Sequence, residues 1–61
     1  MFYKIVVLDA EGFEMAVTND IQPLTVAKDL ATAYLSDLEY KDLAKVQILN
    51  ARKKVIWEKI K

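Results

Sequence analysis

The sequence predicts an α+β fold in which one helix lies across one face of a four-stranded sheet, in the order strand, strand, helix, strand, strand. Three observations predict it. Residues 2–8, FYKIVVL, form a run of strand-favouring residues that is apolar on both faces, with only Lys4 interrupting, as expected of a central strand. Ala27, Leu30, Ala31, Tyr34, Leu35 and Leu38 recur at three- and four-residue spacing, the mark of an amphipathic helix. Around that helix, short segments of period two are bounded by turn residues.

Taken in order, Tyr3, Ile5 and Val7 of the first strand point to one face, and Phe2, Val6 and Leu8 to the other. Asp9-Ala10-Glu11-Gly12 follows, then the alternating residues 13–18. A three-residue loop with Gly12 in the left-handed conformation pairs Asp9 with Phe13. That register sets Ile5 opposite Val17 and Val7 opposite Met15, gathering the large apolar residues of the second strand on the core face.

Thr25 is the expected N-cap of the helix, preceded by Pro23 and followed by Asp29 near the positive end of the dipole. Ser36 and Glu39 have capping-box spacing, which reads as a helix break with a short second turn over residues 37–42. Residues 45–50 are the third strand and 54–60 the fourth. Pairing Asn50 with Lys53 sets Ile48 opposite Val55, Val46 opposite Trp57 and Lys45 opposite Glu58 as a cross-strand ion pair. The expected core is then Tyr3, Ile5, Val7, Phe13, Met15, Val17, Val46, Ile48, Val55 and Trp57, under one helix. No internal repeat or linker is read, and the 61 residues form a single ββαββ domain, 1–61.

This element order, together with the opening Met1-x-Tyr3-Lys4 and the Asn50-Ala51-x-Lys53 turn, resembles β-grasp domains of the protein G type. The resemblance implies a two-layer fold with a mixed sheet of order 2-1-4-3, the first and fourth strands parallel in the centre. It carries layout only, because none of the residues that such domains use to bind antibody is matched here.

Composition narrows the function classes. A chain of this length buries only about 60% of its unfolded surface, so oligomerisation is the expected added support. There is no cysteine and no histidine, which removes disulfides, thiolate nucleophiles, the commonest metal ligand and the usual proton-transfer group. One glycine cannot build a phosphate-cradling loop. Asp9 with Glu11, and Asp37 with Glu39 and Asp42, are carboxylate groupings that turn and cap chemistry explains. The expectation is therefore no enzyme, no cofactor, no metal and no small-molecule ligand. Neither a signal peptide nor a stretch of about 20 apolar residues is read, so a soluble, cytoplasmic protein is expected.

Net charge is zero but segregated: residues 1–42 hold eight carboxylates against three lysines, a balance of −5, and residues 43–61 hold six cations against Glu58, a balance of +5. Two functional readings follow. The first is a non-enzymatic module that binds a protein partner or a second copy of itself through the sheet face the helix leaves open, using Phe2, Val6, Leu8, Leu49, Ile56 and Ile60. The alternative is a nucleic-acid binder using Lys4, Lys45, Arg52, Lys53 and Lys54 of the basic C-terminal hairpin and its neighbours. The zero net charge and the single aromatic on the open face weigh against the alternative.

Overall fold

The computed structural model describes residues 1–61. Four strands, β1 (Tyr3–Asp9), β2 (Glu14–Ile21), β3 (Leu43–Leu49) and β4 (Val55–Ile60), form one sheet. A helix, α1 (Leu24–Leu35), and a single 3₁₀ turn, Leu38–Tyr40, connect β2 to β3. The ββαββ layout is as expected, on one shared core of Ile5, Val7, Ala27, Ala31, Leu43, Val46 and Ile48.

The strand order is not as expected. It is β2-β1-β3-β4, with every neighbouring pair antiparallel, so the mixed 2-1-4-3 sheet implied by the β-grasp resemblance is incorrect. β4 still runs in the same direction as β1, but β3 lies between them. The charge content of the last two strands gives the physical reason. β3 carries only Lys45, and it places Leu43, Val46 and Ile48 under the helix with at most 3% exposure. β4 carries Glu58 and Lys59, with Lys59 opposite Val46 and hence on the helix side of the sheet. An inward-facing lysine is costly in a central strand and ordinary at an edge.

The first turn forms as the residues dictate. Asp9 N–H donates to the Phe13 carbonyl at 3.0 Å, Gly12 N–H donates to the Asp9 carbonyl at 3.1 Å, and Gly12 has φ +88°. The Asp9 carboxylate accepts from the Glu11 and Phe13 N–H groups at 3.0 and 2.9 Å. Beyond the turn, a bulge between Val7 and Leu8 shifts the pairing by one residue, giving Val7↔Ala16, Val6↔Val17 and Ile5↔Thr18. A bulge inserts one unpaired residue; Met15 at the bulge still packs against the core with Ala16, Thr18 lies opposite Ile5, a second shift sets Ile21 opposite Tyr3, and Val17 turns to the open face. This corrects the expected core. Val17 is exposed and Phe13 is 70% exposed beside the turn.

The second hairpin repeats the first. Adding 41 to the pairs Leu8↔Glu14, Val7↔Ala16 and Val6↔Val17 gives Leu49↔Val55, Ile48↔Trp57 and Gln47↔Glu58, the observed β3–β4 pairs, bulge included. Its turn is also the same. Asn50 N–H donates to the Lys54 carbonyl, Lys53 N–H to the Asn50 carbonyl, and the Asn50 side-chain oxygen accepts from Arg52 and Lys54. The loop is thus residues 51–53, and the expected Asn50–Lys53 pairing is one residue short. Val55 faces out as a result, 42% exposed, while Trp57 keeps its place on the core side. The lysine–carboxylate pair survives as a diagonal, with Lys45 Nζ 3.8 Å from Glu58 Oε2. The expectation of no repeat is also corrected, since Lys4-Ile5-Val6-Val7-Leu8-Asp9 corresponds to Lys45-Val46-Gln47-Ile48-Leu49-Asn50.

The equivalence supplies an internal control on turn energetics. Lys53 holds φ +63° where its counterpart is glycine, and a Cβ at Gly12 would meet nothing within 4 Å. The difference between the two positions is therefore one of backbone preference. Gly12→Ala is expected to lower stability by about 1 kcal/mol, and Lys53→Gly to raise it by roughly 0.5–1 kcal/mol, read by urea denaturation.

The helix is capped two residues earlier than expected. Its N-cap position is Pro23, whose carbonyl accepts from Val26 and Ala27, so Thr25 lies inside the first turn. The Gln22–Pro23 peptide bond is cis. Only Ala27 and Ala31 are fully buried on α1, and these small side chains let the helix lie close to the sheet. The helix break falls as expected, but Asp37 is its cap, accepting from Glu39 N–H at 3.0 Å. Leu38 consequently leaves the apolar stripe and is 87% exposed.

Candidate interaction surface

The cross-strand pairs assign side chains to faces. On the open side lie Phe2, Lys4, Val6 and Leu8 of the first strand segment, Glu14 and Val17 of β2, and Lys45, Gln47 and Leu49 of β3. Val55, Ile56, Glu58 and Ile60 of β4 complete it, with Val55 and Ile56 both at the bulge opposite Leu49. Phe2, Val6, Leu8, Leu49, Ile56 and Ile60 therefore share one face of the sheet.

They do not form the single strip expected of adjacent β1 and β4. β3 intervenes, and Lys45 and Gln47 stand between Leu8 and Val6 on one side and Ile60 and Glu58 on the other. Gln47 Nε2 donates to Glu58 Oε2 at 2.7 Å, and the same oxygen faces Lys45, which gives this part of the face a polar ridge. Val6 and Leu8 are already 4% and 8% exposed in the monomer, so little of either is left for a partner to bury. Phe2, Ile56 and Ile60 are exposed and Leu49 is half-buried. Two further exposed side chains, Val17 and Val55, were expected in the core; the bulge at Met15 turns the first outward and the 51–53 turn the second. The repeat of β1 in β3 is the signal that could have fixed the second register from the first.

The five cations of the alternative reading divide between places. Lys4 and Lys53, with Phe2 and Asp20, line a shallow recess of about 270 Å³ at the end of the sheet that carries the second turn. Arg52 and Lys54 sit on that turn. Lys45 lies toward the opposite end, opposite Leu8 and Ile60, and is engaged by Glu58.

The carboxylates single out two turns. Asp9 and Asp37 each accept backbone N–H bonds at the start of a turn, and no three acidic side chains converge as a metal-ion cluster. No helix is long and apolar enough to cross a membrane.

The helix defines the other exposed surface. α1 lies over β3 and β1 and grazes β2, without substantial contact with β4. β4 is consequently the less covered edge: none of its six residues is buried, and only Trp57 packs against the core. On the opposite flank, Thr18, Leu30, Ala33, Tyr34 and Asp37 line a recess of about 280 Å³ between β2 and the helix. The Thr18 and Tyr34 hydroxyls hydrogen-bond at 2.9 Å at its base, and the Tyr34 ring meets that of Tyr40 edge-on at 5.3 Å. No family model, curated protein or solved structure matches the chain.

Proposed function

We propose that this chain is a small non-enzymatic protein interaction module that associates with a second copy of itself through the surface around β4, and that it works in the cytoplasm. The observation that carries the reading is β4 itself. Four of its six residues, Val55, Ile56, Trp57 and Ile60, are apolar, yet the helix makes no substantial contact with the strand and no residue of it is buried, Trp57 alone being half-buried against the core. Apolar side chains grouped at one edge and rimmed by charge mark a contact surface more often than isolated surface hydrophobes do.

Size supports the same reading. Only 9 of the 61 residues are buried, and a domain this small gains stability from a partner. A standard interface of about 800 Å² per partner would cover roughly a fifth of the 4246 Å² monomer surface. Sedimentation velocity across a concentration series tests the reading. The native chain is expected to self-associate, and Phe2→Lys combined with Ile56→Lys to weaken association at least tenfold while the circular dichroism spectrum stays native. A native chain that is monomeric at millimolar concentration would remove the proposal.

The recess shared by Phe2, Lys4 and Lys53 favours a second reading, a single-stranded nucleic-acid contact made by stacking and phosphate pairing. Asp20 in the same recess opposes phosphate. Retention on immobilised single strands that falls steeply with salt would support this reading, and no retention at low salt would dispose of it.

A further inference from the structure

The two edges of the sheet differ in charge and in shape, and the difference is complementary. The β2 edge and the helix beside it, residues 14–37, hold four carboxylates, Glu14, Asp20, Asp29 and Asp37, against Lys28 alone. The β4 edge and its turn, residues 51–61, hold five cations, Arg52, Lys53, Lys54, Lys59 and Lys61, against Glu58 alone. Pairing like edges, β2 with β2 or β4 with β4, brings like charges together. Unlike edges attract.

Shape agrees with charge. The β2 edge has the recess of about 280 Å³ beside it on the helix side, apolar at Leu30 and Ala33 and acidic at Asp37. The β4 edge presents Lys59 on the helix side, exposed and opposite Val46. Strand direction also permits the contact. β1 is antiparallel to both β2 and β3, and β4 is antiparallel to β3, so β2 and β4 run in opposite directions. A second copy placed with its β4 beside β2 therefore continues an antiparallel sheet with the helices on one side.

We infer that copies of this chain associate head to tail, the β4 edge of one lying against β2 and the α1 flank of the next. This rests on the self-association proposed above and specifies its geometry. Lys59 of the incoming copy lays its aliphatic stem over Leu30 and Ala33 and its ammonium against Asp37. In the monomer the same lysine and the bulge at Ile56 blunt the bare edge against indiscriminate pairing. A head-to-tail contact leaves one free edge of each kind, so assembly continues with concentration and does not stop at a dimer.

The test uses two full-length variants, each altered on one edge at an exposed position: Leu30→Lys on the recess and Lys59→Glu on β4. The native chain is expected to show a mass that rises with concentration and falls with added salt. Each variant alone is expected to associate at least tenfold more weakly. Mixed in equal amounts, they are expected to associate with each other, because the first retains a native β4 edge and the second a native recess. Ala33→Lys replaces Leu30→Lys if circular dichroism shows that the latter is unfolded. A Leu30→Lys chain that associates like the native one, or a mixture in which the two variants do not associate, overturns the head-to-tail contact while leaving self-association standing. A monomeric native chain overturns both.

Discussion

Ile48→Ala is expected to remove about half of the chain's stability at 25 °C. Ile48 is fully buried and stands between Ile5 of β1 and Trp57 of β4, at the centre of the helix-covered face. Truncating such an isoleucine costs about 2–5 kcal/mol, part of it for the cavity left behind. A domain of this size has roughly 3–9 kcal/mol in total, at about 0.05–0.15 kcal/mol per residue. The neighbouring Leu49, half-buried on the open face opposite Lys4 and Val55, is the comparison. Leu49→Ala is expected to cost about 1 kcal/mol, in line with its smaller loss of buried area. Urea denaturation followed by tryptophan fluorescence separates the two. Near-equal losses would show that β3 does not occupy the interior of the sheet.

Ala31→Leu is expected to destabilise by about 1–3 kcal/mol, although it adds apolar surface. Ala31 and Ala27 are fully buried against the sheet while the larger residues on their flanks, Val26 and Leu30, are each 41% exposed. The helix is therefore seated by its smallest side chains. Three extra carbons at Ala31 must lift α1 from β1 and β3 or force a strained rotamer. Leu30→Ala removes the same three carbons from a more exposed position and is expected to cost less, by thermal denaturation, than Ala31→Leu. The reverse order would mean that the helix rests on its flank and not on the alanine pair.

Residue pattern made the elements and half of the core legible. The apolar run in β1, the Gly12 turn and the helical stripe each place residues by a short-range rule, and Ile5, Val7, Val46 and Ile48 emerge in the core as their alternation requires. What was not legible depends on single residues inserted into strands. The bulges at Met15 and Ile56 leave no mark in a period-two pattern, yet each reverses which side chains face the helix beyond it: the first turns Val17 outward, and the second returns Trp57 to the helix side after the longer turn has set Val55 outward. Strand order was the other loss. The β-grasp resemblance supplied a central β4, whereas Glu58 and Lys59 within one short strand argue for an edge. The candidate surface inherited that error: Phe2, Ile56 and Ile60 remain exposed, but β3 parts them from Val6 and Leu8.

All of the functional reading depends on β4 being the bare edge, and backbone proton contacts in a nuclear Overhauser spectrum test that directly. The antiparallel β1–β3 ladder predicts cross-strand contacts of Ile5 with Ile48, Val6 with Gln47 and Val7 with Val46. It predicts none between the backbone protons of β1 and those of Ile56, Trp57 or Glu58. Contacts between β1 and β4, with none between β1 and β3, would contradict the strand order and with it the opposed edges on which head-to-tail association rests.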